Sequence, residues 1–178
     1  MTPEGLHGRI AELERQLVEL RRELTPEVEP FPHEPAAYLE LSAGQGRYLV
    51  EVAPLREVLP VVWPAPLPDA PRWVRGTIRY GERVVPVIDL ERRLHDVDRA
   101  LALDDLIVVV ESPKWLALRV DGVGGVLRLA PHDLSPLPPG IAQAPFLVAT
   151  HASPDGATAH VLSLRRLGRD VLIDEDEQ

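Results

Sequence analysis

The amino-acid sequence predicts a mainly β protein that is preceded by one α-helix, and three features of the chain support this prediction. A leucine stripe with heptad spacing occupies residues 4–24. A proline-rich segment follows it, and such a segment disfavours both helix and central strand. From residue 38 onward, short runs of alternating apolar and polar residues are separated by turn residues. Many short strands at this spacing are typical of β-barrels and β-sandwiches.

Residues 1–24 contain the predicted amphipathic helix. Its apolar side chains recur in steps of four and three, with charged residues between them. They are Leu6, Ile10, Leu13, Leu17, Leu20 and Leu24. A stripe this narrow is typical of a coiled-coil seam, and a helix of about 20 residues is marginally stable by itself in water. We therefore expect the helix to pair with a second copy of itself or with another protein, unless it docks on the protein's own core.

Proline and charge mark the remaining boundaries of the chain. Residues 25–37 contain four prolines and are predicted to form a stiff, extended linker. The globular domain is predicted to span residues 38–168. Residues 169–178 follow it as an acidic C-terminal tail.

A β-hairpin is predicted where the runs Thr77–Tyr80 and Arg83–Ile88 flank the turn residues Gly81 and Glu82. Further strands are expected at residues 48–52, 106–110, 116–120, 126–129, 146–151 and 158–163. The segment from Leu55 to Leu59 fits either a helical turn or the end of a strand.

The second half of the hairpin is repeated later in the chain. Val87-Ile-Asp-Leu-Glu-Arg-Arg-Leu94 reappears in shorter form as Val161-Leu-Ser-Leu-Arg-Arg-Leu167. Each copy is an apolar run that ends at a residue able to cap a helix, Asp89 in the first and Ser163 in the second. The repeat predicts two similar β halves, each closed by a short helix.

The composition excludes several classes of function. Nineteen Lys and Arg residues against 28 Asp and Glu give a formal net charge of −9, which disfavours nucleic acid as a partner. The chain has no cysteine, so disulfides, thiol chemistry and iron–sulfur clusters are excluded. No signal-peptide pattern or bilayer-spanning apolar run is present in the sequence, and we expect a cytoplasmic protein.

The sequence also lacks the pattern of an active site. Asp89 and Asp121 each follow an apolar run, but Asp89 is better explained as a helix cap and Asp121 as part of an Asp-Gly turn. The histidines show no metal-ligand spacing, and the glycines after Asp121 are followed by no Lys-Ser or Lys-Thr pair. We therefore expect a non-enzymatic binding module without cofactor or metal, whose partners dock on apolar strand faces and edges.

Four segments together identify a family resemblance. They are Trp73-Val-Arg-Gly76, Val84-Val-Pro-Val-Ile-Asp-Leu90, Tyr48-Leu-Val-Glu-Val52 and Leu116-Ala-Leu-Arg-Val-Asp-Gly-Val123. In order and spacing they resemble the CheW-like family, the coupling proteins of bacterial chemotaxis. The similarity extends over residues 38–168.

The resemblance implies two five-stranded β-barrel subdomains with a hydrophobic seam between them. It implies an adaptor that couples the cytoplasmic tips of chemoreceptors to a CheA-type histidine kinase and is recruited to receptor arrays. Receptors would lie along the groove between the barrels, and the regulatory domain of the kinase would pair with an exposed barrel end. The matching partner-binding or groove-shaping residues are Leu55, Glu57, Gly76, Val120 and Val123.

Two features depart from the family pattern. The family usually reads Gly-x-x-Asn-x-Arg-Gly before the second hairpin strand, where this chain has Gly76-Thr-Ile-Arg-Tyr-Gly-Glu82. The family's arginine, expected to pair with the counterpart of Glu57, therefore falls on Gly81, and we expect Arg79 or Arg83 to replace it as the ion-pair partner. The N-terminal heptad helix is the second departure, because the plain family member begins near its first strand.

Two alternatives to the standard adaptor stay open, the first because of the altered turn. One is a divergent accessory adaptor that binds receptors but not the kinase. The other belongs to a different class, a small dimeric acid hydrolase that uses Asp121 from each copy.

Overall fold

The computed structural model describes Gln16 and residues 31–141, 145–169 and 171. The chain divides into two units, residues 1–30 and residues 31–178. The predicted heptad helix apart from Gln16, most of the predicted linker and most of the acidic tail lie outside the described residues.

The described part of the second unit is mainly β, as the sequence predicts, with ten strands and two short α-helices. In chain order the elements are β1 (Ala36–Ala43), β2 (Gly46–Glu51), β3 (Leu55–Pro60), β4 (Val74–Tyr80), β5 (Arg83–Asp89), α1 (Leu90–His95), β6 (Leu106–Glu111), β7 (Trp115–Val120), β8 (Gly122–Leu129), a 3₁₀ turn (Pro131–Asp133), β9 (Leu147–Ala152), β10 (Thr158–Leu162) and α2 (Leu164–Leu167). The segment after Leu55, which the sequence left undecided, is a strand.

The strands form two five-stranded sheets. Sheet 1 has the order β8-β1-β2-β10-β9, and sheet 2 has the order β3-β6-β7-β5-β4. Each sheet contains one parallel pair, β10 with β2 in sheet 1 and β5 with β7 in sheet 2, and its other pairs are antiparallel. The two orders correspond position by position: β8 matches β3, β1 matches β6, β2 matches β7, β10 matches β5 and β9 matches β4. The two sheets are therefore copies of one arrangement, which confirms the repeat predicted from the sequence.

The two short helices begin in the same way. The Asp89 carboxylate accepts a hydrogen bond from the Arg92 amide at the start of α1, and the Ser163 hydroxyl accepts one from the Arg166 amide at the start of α2. Such caps satisfy amide groups that have no partner within the first helical turn. Both predicted N-caps are confirmed.

Each sheet is joined to itself by one isolated bridge, which closes it into a small barrel. Ala65, beyond the end of β3, exchanges two backbone hydrogen bonds of 2.8 Å with Thr77 of β4. Ser135, beyond the end of β8, makes the equivalent pair with Thr150 of β9. Gly76 lies beside the first bridge with φ +135°, and a Cβ atom there would stand 2.1 Å from the Ala65 carbonyl oxygen. Only glycine fits this closure without strain.

Strand alternation divides the core into three parts. In β2, Tyr48 and Val50 belong to a seam between the two sheets, whereas Leu49 points into barrel 1. In β6, Val108 contributes to the same seam, whereas Ile107 points into barrel 2. Full burial of each such side chain stabilises the fold by about 1.5–3 kcal/mol. The seam is the largest of the three clusters and holds the two barrels together.

Candidate partner-binding site

The chain passes between the two sheets at two crossovers, and the candidate groove residues follow them. Residues 52–54 connect β2 of sheet 1 to β3 of sheet 2, and Leu55 is the first residue after this crossover. Asp121 alone connects β7 of sheet 2 to β8 of sheet 1, and Val123 lies two residues beyond it.

Leu55 and Val123 are the accessible members of the predicted set at the seam. Each is partly buried and packs against the seam cluster, and each belongs to a strand at the edge of its sheet. Val120 and Gly76, in contrast, are buried. In this structure, Val120 and Gly76 can shape the site only by supporting its edges, whereas Leu55 and Val123 offer apolar surface.

Glu57 is exposed and has a partner that the sequence did not predict. Its Oε2 atom accepts a hydrogen bond of 2.8 Å from the Tyr80 hydroxyl, and this bond is the main reason why the pKa of Tyr80 is raised. Within the described ranges, no ion pair joins Glu57 to Arg79 or Arg83. Alternation along β4 places Arg79 on the face opposite to Tyr80, which explains why Arg79 does not reach the carboxylate.

Arg83 takes part in an aromatic contact at the same end of barrel 2. Its guanidinium group lies 4.8 Å from the centroid of the Trp115 ring, and the rings of Trp115 and Tyr80 are 5.7 Å apart. The hairpin tip therefore presents an amphipathic surface. Tyr80 connects the Glu57 carboxylate to the Trp115 ring, which in turn lies against Arg83.

The opposite end of barrel 2 contains a buried ionic cluster centred on Arg119. Arg119 is fully buried, and its Nη2 atom lies 2.7 Å from Asp105 Oδ1 and 2.6 Å from Asp121 Oδ1. Its Nη1 atom lies 3.4 Å from both Asp89 and Glu91. Arg119 lies two residues after Ala117 on β7 and therefore points to the same side of the strand, the interior of barrel 2, where it fills one end of the barrel with charge.

Two more arginines extend this cluster towards the surface. Arg99, in the loop between α1 and β6, pairs with Asp105 at 2.6 Å and with Asp121 at 2.5 Å through Nη2, and with Glu91 at 3.1 Å through Nε. Burial lowers the pKa of Arg99, but the carboxylates of Asp105 and Asp121 outweigh that effect, so the pKa is raised. Arg75 pairs with Asp89 at 2.6 Å.

The sequence prediction missed Arg119 as a central residue. Its signal is an arginine at an interior position of an otherwise apolar run, Leu116-Ala-Leu-Arg-Val120. A buried guanidinium requires carboxylate partners, but the run itself does not show which ones are near.

The environment of Asp121 differs from that of a catalytic acid. Its Oδ1 atom accepts from both Arg99 and Arg119, and its Oδ2 atom accepts from the Gly44 amide at 2.6 Å. The neighbouring carboxylate, Asp105, is bound by the same two guanidinium groups, so both acids serve as counter-charges to arginine. The acid-hydrolase alternative therefore finds no support at this residue.

Residues 31–141, 145–169 and 171 contain no group of three or more His, Asp or Glu residues arranged to hold a metal ion. No helix in the same ranges reaches the length and apolar character that a bilayer crossing demands.

The sequence was compared with known families and proteins. The family model described as CheW-like domain matches residues 37–171. Two curated relatives, each named "Chemotaxis protein CheW", come from Rhizobium meliloti and Treponema pallidum; they are 27% identical over 96 residues and 26% identical over 101 residues. Each alignment covers 53% of this chain, and the chain spans about three-fifths of the relatives' length, 62% and 59% respectively.

The fold was compared with solved structures. The crystal structure of the scaffolding protein TtCheW from Thermoanaerobacter tengcongensis superposes with a TM-score of 0.69 at 23% sequence identity, covering 81% of this chain and 97% of that one. This likeness confirms the predicted CheW-like fold. Because the family model spans well over half of the sequence, the chain belongs to the CheW-like domain family.

Proposed function

We propose that this protein is a non-enzymatic adaptor that couples chemoreceptors to a CheA-type histidine kinase, acting in the cytoplasm at receptor arrays. The observation that carries the proposal is the pair of barrels joined along an apolar seam, with Leu55 and Val123 accessible at its margins. Family membership and the names of the relatives support the same role.

The receptor tip is proposed to bind where the two crossovers leave the seam partly uncovered. Leu55 and Val123 supply apolar contact area, and the exposed Glu57 lies two residues from Leu55 on β3. Partner-binding energy is usually concentrated in a few central apolar or aromatic residues that water does not reach in the complex. A helical receptor tip has the shape to place apolar side chains along such a groove.

Substitutions at the two groove residues test this surface. Leu55→Arg or Val123→Asp should reduce receptor capture by more than tenfold, since loss of a hot-spot residue costs about 2 kcal/mol or more. Each variant has a matched control on its own strand, Val58→Arg on β3 and Val126→Asp on β8. These two valines are 41% and 61% exposed, so both controls should bind normally.

Circular dichroism and thermal melting must accompany the capture measurements. Variants that melt like the parent protein and still capture the receptor would show that the groove assignment is wrong. Equal losses in the groove variants and their controls would show instead that charge on either strand disturbs binding.

The kinase is proposed to bind the hairpin tip of barrel 2, where Tyr80 holds Glu57 and packs against Trp115 and where Arg83 lies over the Trp115 ring. Trp115→Ala should weaken capture of the kinase regulatory domain and leave receptor capture intact. The parent protein, tested against receptor and kinase separately, distinguishes the standard adaptor from the accessory one. Receptor capture without any kinase capture would identify the accessory adaptor.

The heptad segment, residues 4–24, is proposed to tether or dimerise the protein. Its six apolar positions are spaced as in a coiled coil. Analytical ultracentrifugation of the full chain and of residues 36–178 tests self-association, and a dimer that requires the first 35 residues is the expected result. Identical monomer masses would rule out self-association and leave another protein as the partner of the helix.

A further inference from the structure

We propose that Asp121 and the three groups that hold it, Arg99, Arg119 and the Gly44 amide, form a clamp that sets the position of one barrel relative to the other. Through that position the Asp121 clamp determines how far apart the groove residues Leu55 and Val123 lie. The relative position of the barrels is a property of the free protein, whereas the effect on the binding groove rests on the proposed adaptor function.

The bonds of Asp121 reach both sheets. Its backbone amide donates to the Ser42 carbonyl of β1 at 2.8 Å, and its Oδ2 atom accepts from the Gly44 amide in the turn between β1 and β2. Both of these partners belong to barrel 1. Its Oδ1 atom accepts from Arg119, which fills the end of barrel 2. A single residue therefore bonds the β1–β2 hairpin of one barrel to the interior of the other.

Arg99 adds a third attachment from the loop that follows α1. Its guanidinium group reaches Asp121, Asp105 and Glu91. Glu91 in turn lies against the turn of barrel 1, since a Cβ atom at Gly44 would stand 2.9 Å from Glu91 Oε1. Charge-assisted hydrogen bonds of this kind are stronger and more directional than neutral ones, and in a partly buried site salt screens them little.

The other crossover, Val52-Ala-Pro54, contains no charged residue of its own, and the arginine that bonds it stays within sheet 2. Arg56 donates to the Ala53 carbonyl at 3.2 Å and pairs with Glu111 at 3.0 Å. Residues 52–54 are fixed by backbone bonds, from the Val52 amide to Ala37, from the Leu55 amide to Val52 and from the Glu111 amide to Pro54, at 2.9–3.0 Å. Such bonds hold the local path of the chain. Within the described ranges, Asp121 is therefore the crossover residue whose own side chain forms ion pairs, and these pairs also fix the position of its neighbours Val120 and Gly122.

The consequence for binding follows from the sequence neighbours of the clamp. Val123 begins the exposed edge of the groove only two residues after Asp121. If the clamp is weakened, the barrels remain folded because their interiors are separate apolar clusters, but the seam can adopt more than one arrangement. A partner that binds one arrangement then binds a smaller fraction of the molecules.

Spin-label distances in the free protein test the clamp. The chain has no cysteine, so Lys114→Cys in the turn between β6 and β7 of sheet 2 and Arg128→Cys on β8 of sheet 1 introduce two labels at exposed positions. This labelled protein is compared with the same protein carrying Asp121→Asn or Arg99→Gln. The matched control is Asp155→Asn, which removes an exposed carboxylate paired with Arg47 at 3.1 Å within barrel 1.

We expect one narrow label-to-label distance in the parent and in Asp155→Asn, and a broadened distribution in the two clamp variants. Unchanged distributions in both clamp variants would overturn the proposal. Should Asp121→Asn fail to fold, Arg99→Gln decides alone, because it removes only the partly exposed attachment.

Receptor titration of the same variants tests whether the clamp positions the groove residues for binding. The clamp variants should bind roughly five- to tenfold more weakly, at the low end of typical coupling effects, while Asp155→Asn binds like the parent. Broadened distances with unchanged receptor affinity would overturn the positioning role. If the parent itself captures no receptor, the proposed adaptor function fails, and the distance distributions still decide whether the clamp exists.

Discussion

The two barrels share one strand arrangement but close their helix-bearing ends differently. Val87 pairs with Ala117 two residues before the cap of α1, and Val161 pairs with Leu49 two residues before the cap of α2. Ala117 and Leu49 are therefore equivalent positions, and so are the residues that lie two positions after them. The buried Arg119 of barrel 2 thus corresponds to Glu51 of barrel 1, which is exposed.

The N-caps of the two helices also differ in charge. The Ser163 side chain in barrel 1 is neutral and accepts from the Arg166 amide of its own helix, whereas the Asp89 carboxylate in barrel 2 also pairs with Arg75 and Arg119. One backbone plan is therefore compatible with an uncharged end and with a charged one. Desolvation offsets much of what buried ion pairs gain, so the charged end is better explained by orientation than by added stability.

Replacing Arg119 gives the largest expected contrast between the barrels. Arg119→Met should lower the free energy of unfolding by about 3–5 kcal/mol, because Asp89 and Asp105 lose a buried counter-charge. The equivalent change in barrel 1, Glu51→Gln, should stay within about 0.5 kcal/mol, as is usual for surface positions. Urea denaturation measures both. Equal effects in the two barrels would show that the charged end is not specially sensitive.

The bridge beside Gly76 gives the second contrast. Gly76→Ala should cost about 2–4 kcal/mol, because φ is positive and the added Cβ meets the Ala65 carbonyl. At the equivalent position of barrel 1, Ala149 already carries a Cβ. Gly81→Ala is the matched control, since Gly81 also has positive φ but no atom lies within 4 Å of its added Cβ. Thermal melting should show a clearly smaller loss for this control.

The smallest effect on stability is expected from a change of pH, at the junction where α1 of barrel 2 meets β2 and β10 of barrel 1. The Tyr48 hydroxyl is 2.7 Å from His95 Nε2, and burial, with the charge of Glu91 as a second cause, raises the pKa of Tyr48 to about 12. Burial and then His95 lower the pKa of His160, whose ring lies 6.1 Å from that of Tyr48.

A lowered histidine pKa makes stability depend on pH in one direction. The unfolded chain takes up a proton as the pH falls through about 6.5, before the folded protein does. Stability is therefore fully present above that pH and decreases as the pH falls towards the lowered pKa of His160. Melting temperatures from about pH 8 to about pH 5, the range of histidine titration, should fall less steeply in His160→Gln than in the parent. Parallel curves for the two proteins would contradict this assignment.

Local sequence patterns were sufficient for most of the fold. The Gly81-Glu82 turn, the alternation of Tyr48, Leu49 and Val50, and the two helix caps each depend on neighbours within a few residues. Such features follow from backbone geometry and from hydrophobic periodicity, and these can be read directly from the sequence.

Candidate site residues were harder to predict because their contacts are not local. The Glu57 carboxylate was expected to meet an arginine of the hairpin, yet Tyr80 holds it. The difference depends on which face of β4 each side chain occupies next to β3, and that in turn depends on how the barrel closes. The composition of the turn carries no information on this closure.

By itself, the sequence determined the β class, eight of the ten described strands, the caps of both helices and the family resemblance; it did not predict β1 and left β3 undecided. Only the tertiary structure decided which charges meet: Asp121 joins Arg119 two residues away, Arg99 in another loop and the Gly44 amide 77 residues earlier. Hydrophobic periodicity specifies which face of a strand is buried but does not determine the order of strands within a sheet. Ion pairs between distant residues depend on that order, so they emerge only when both barrels are assembled.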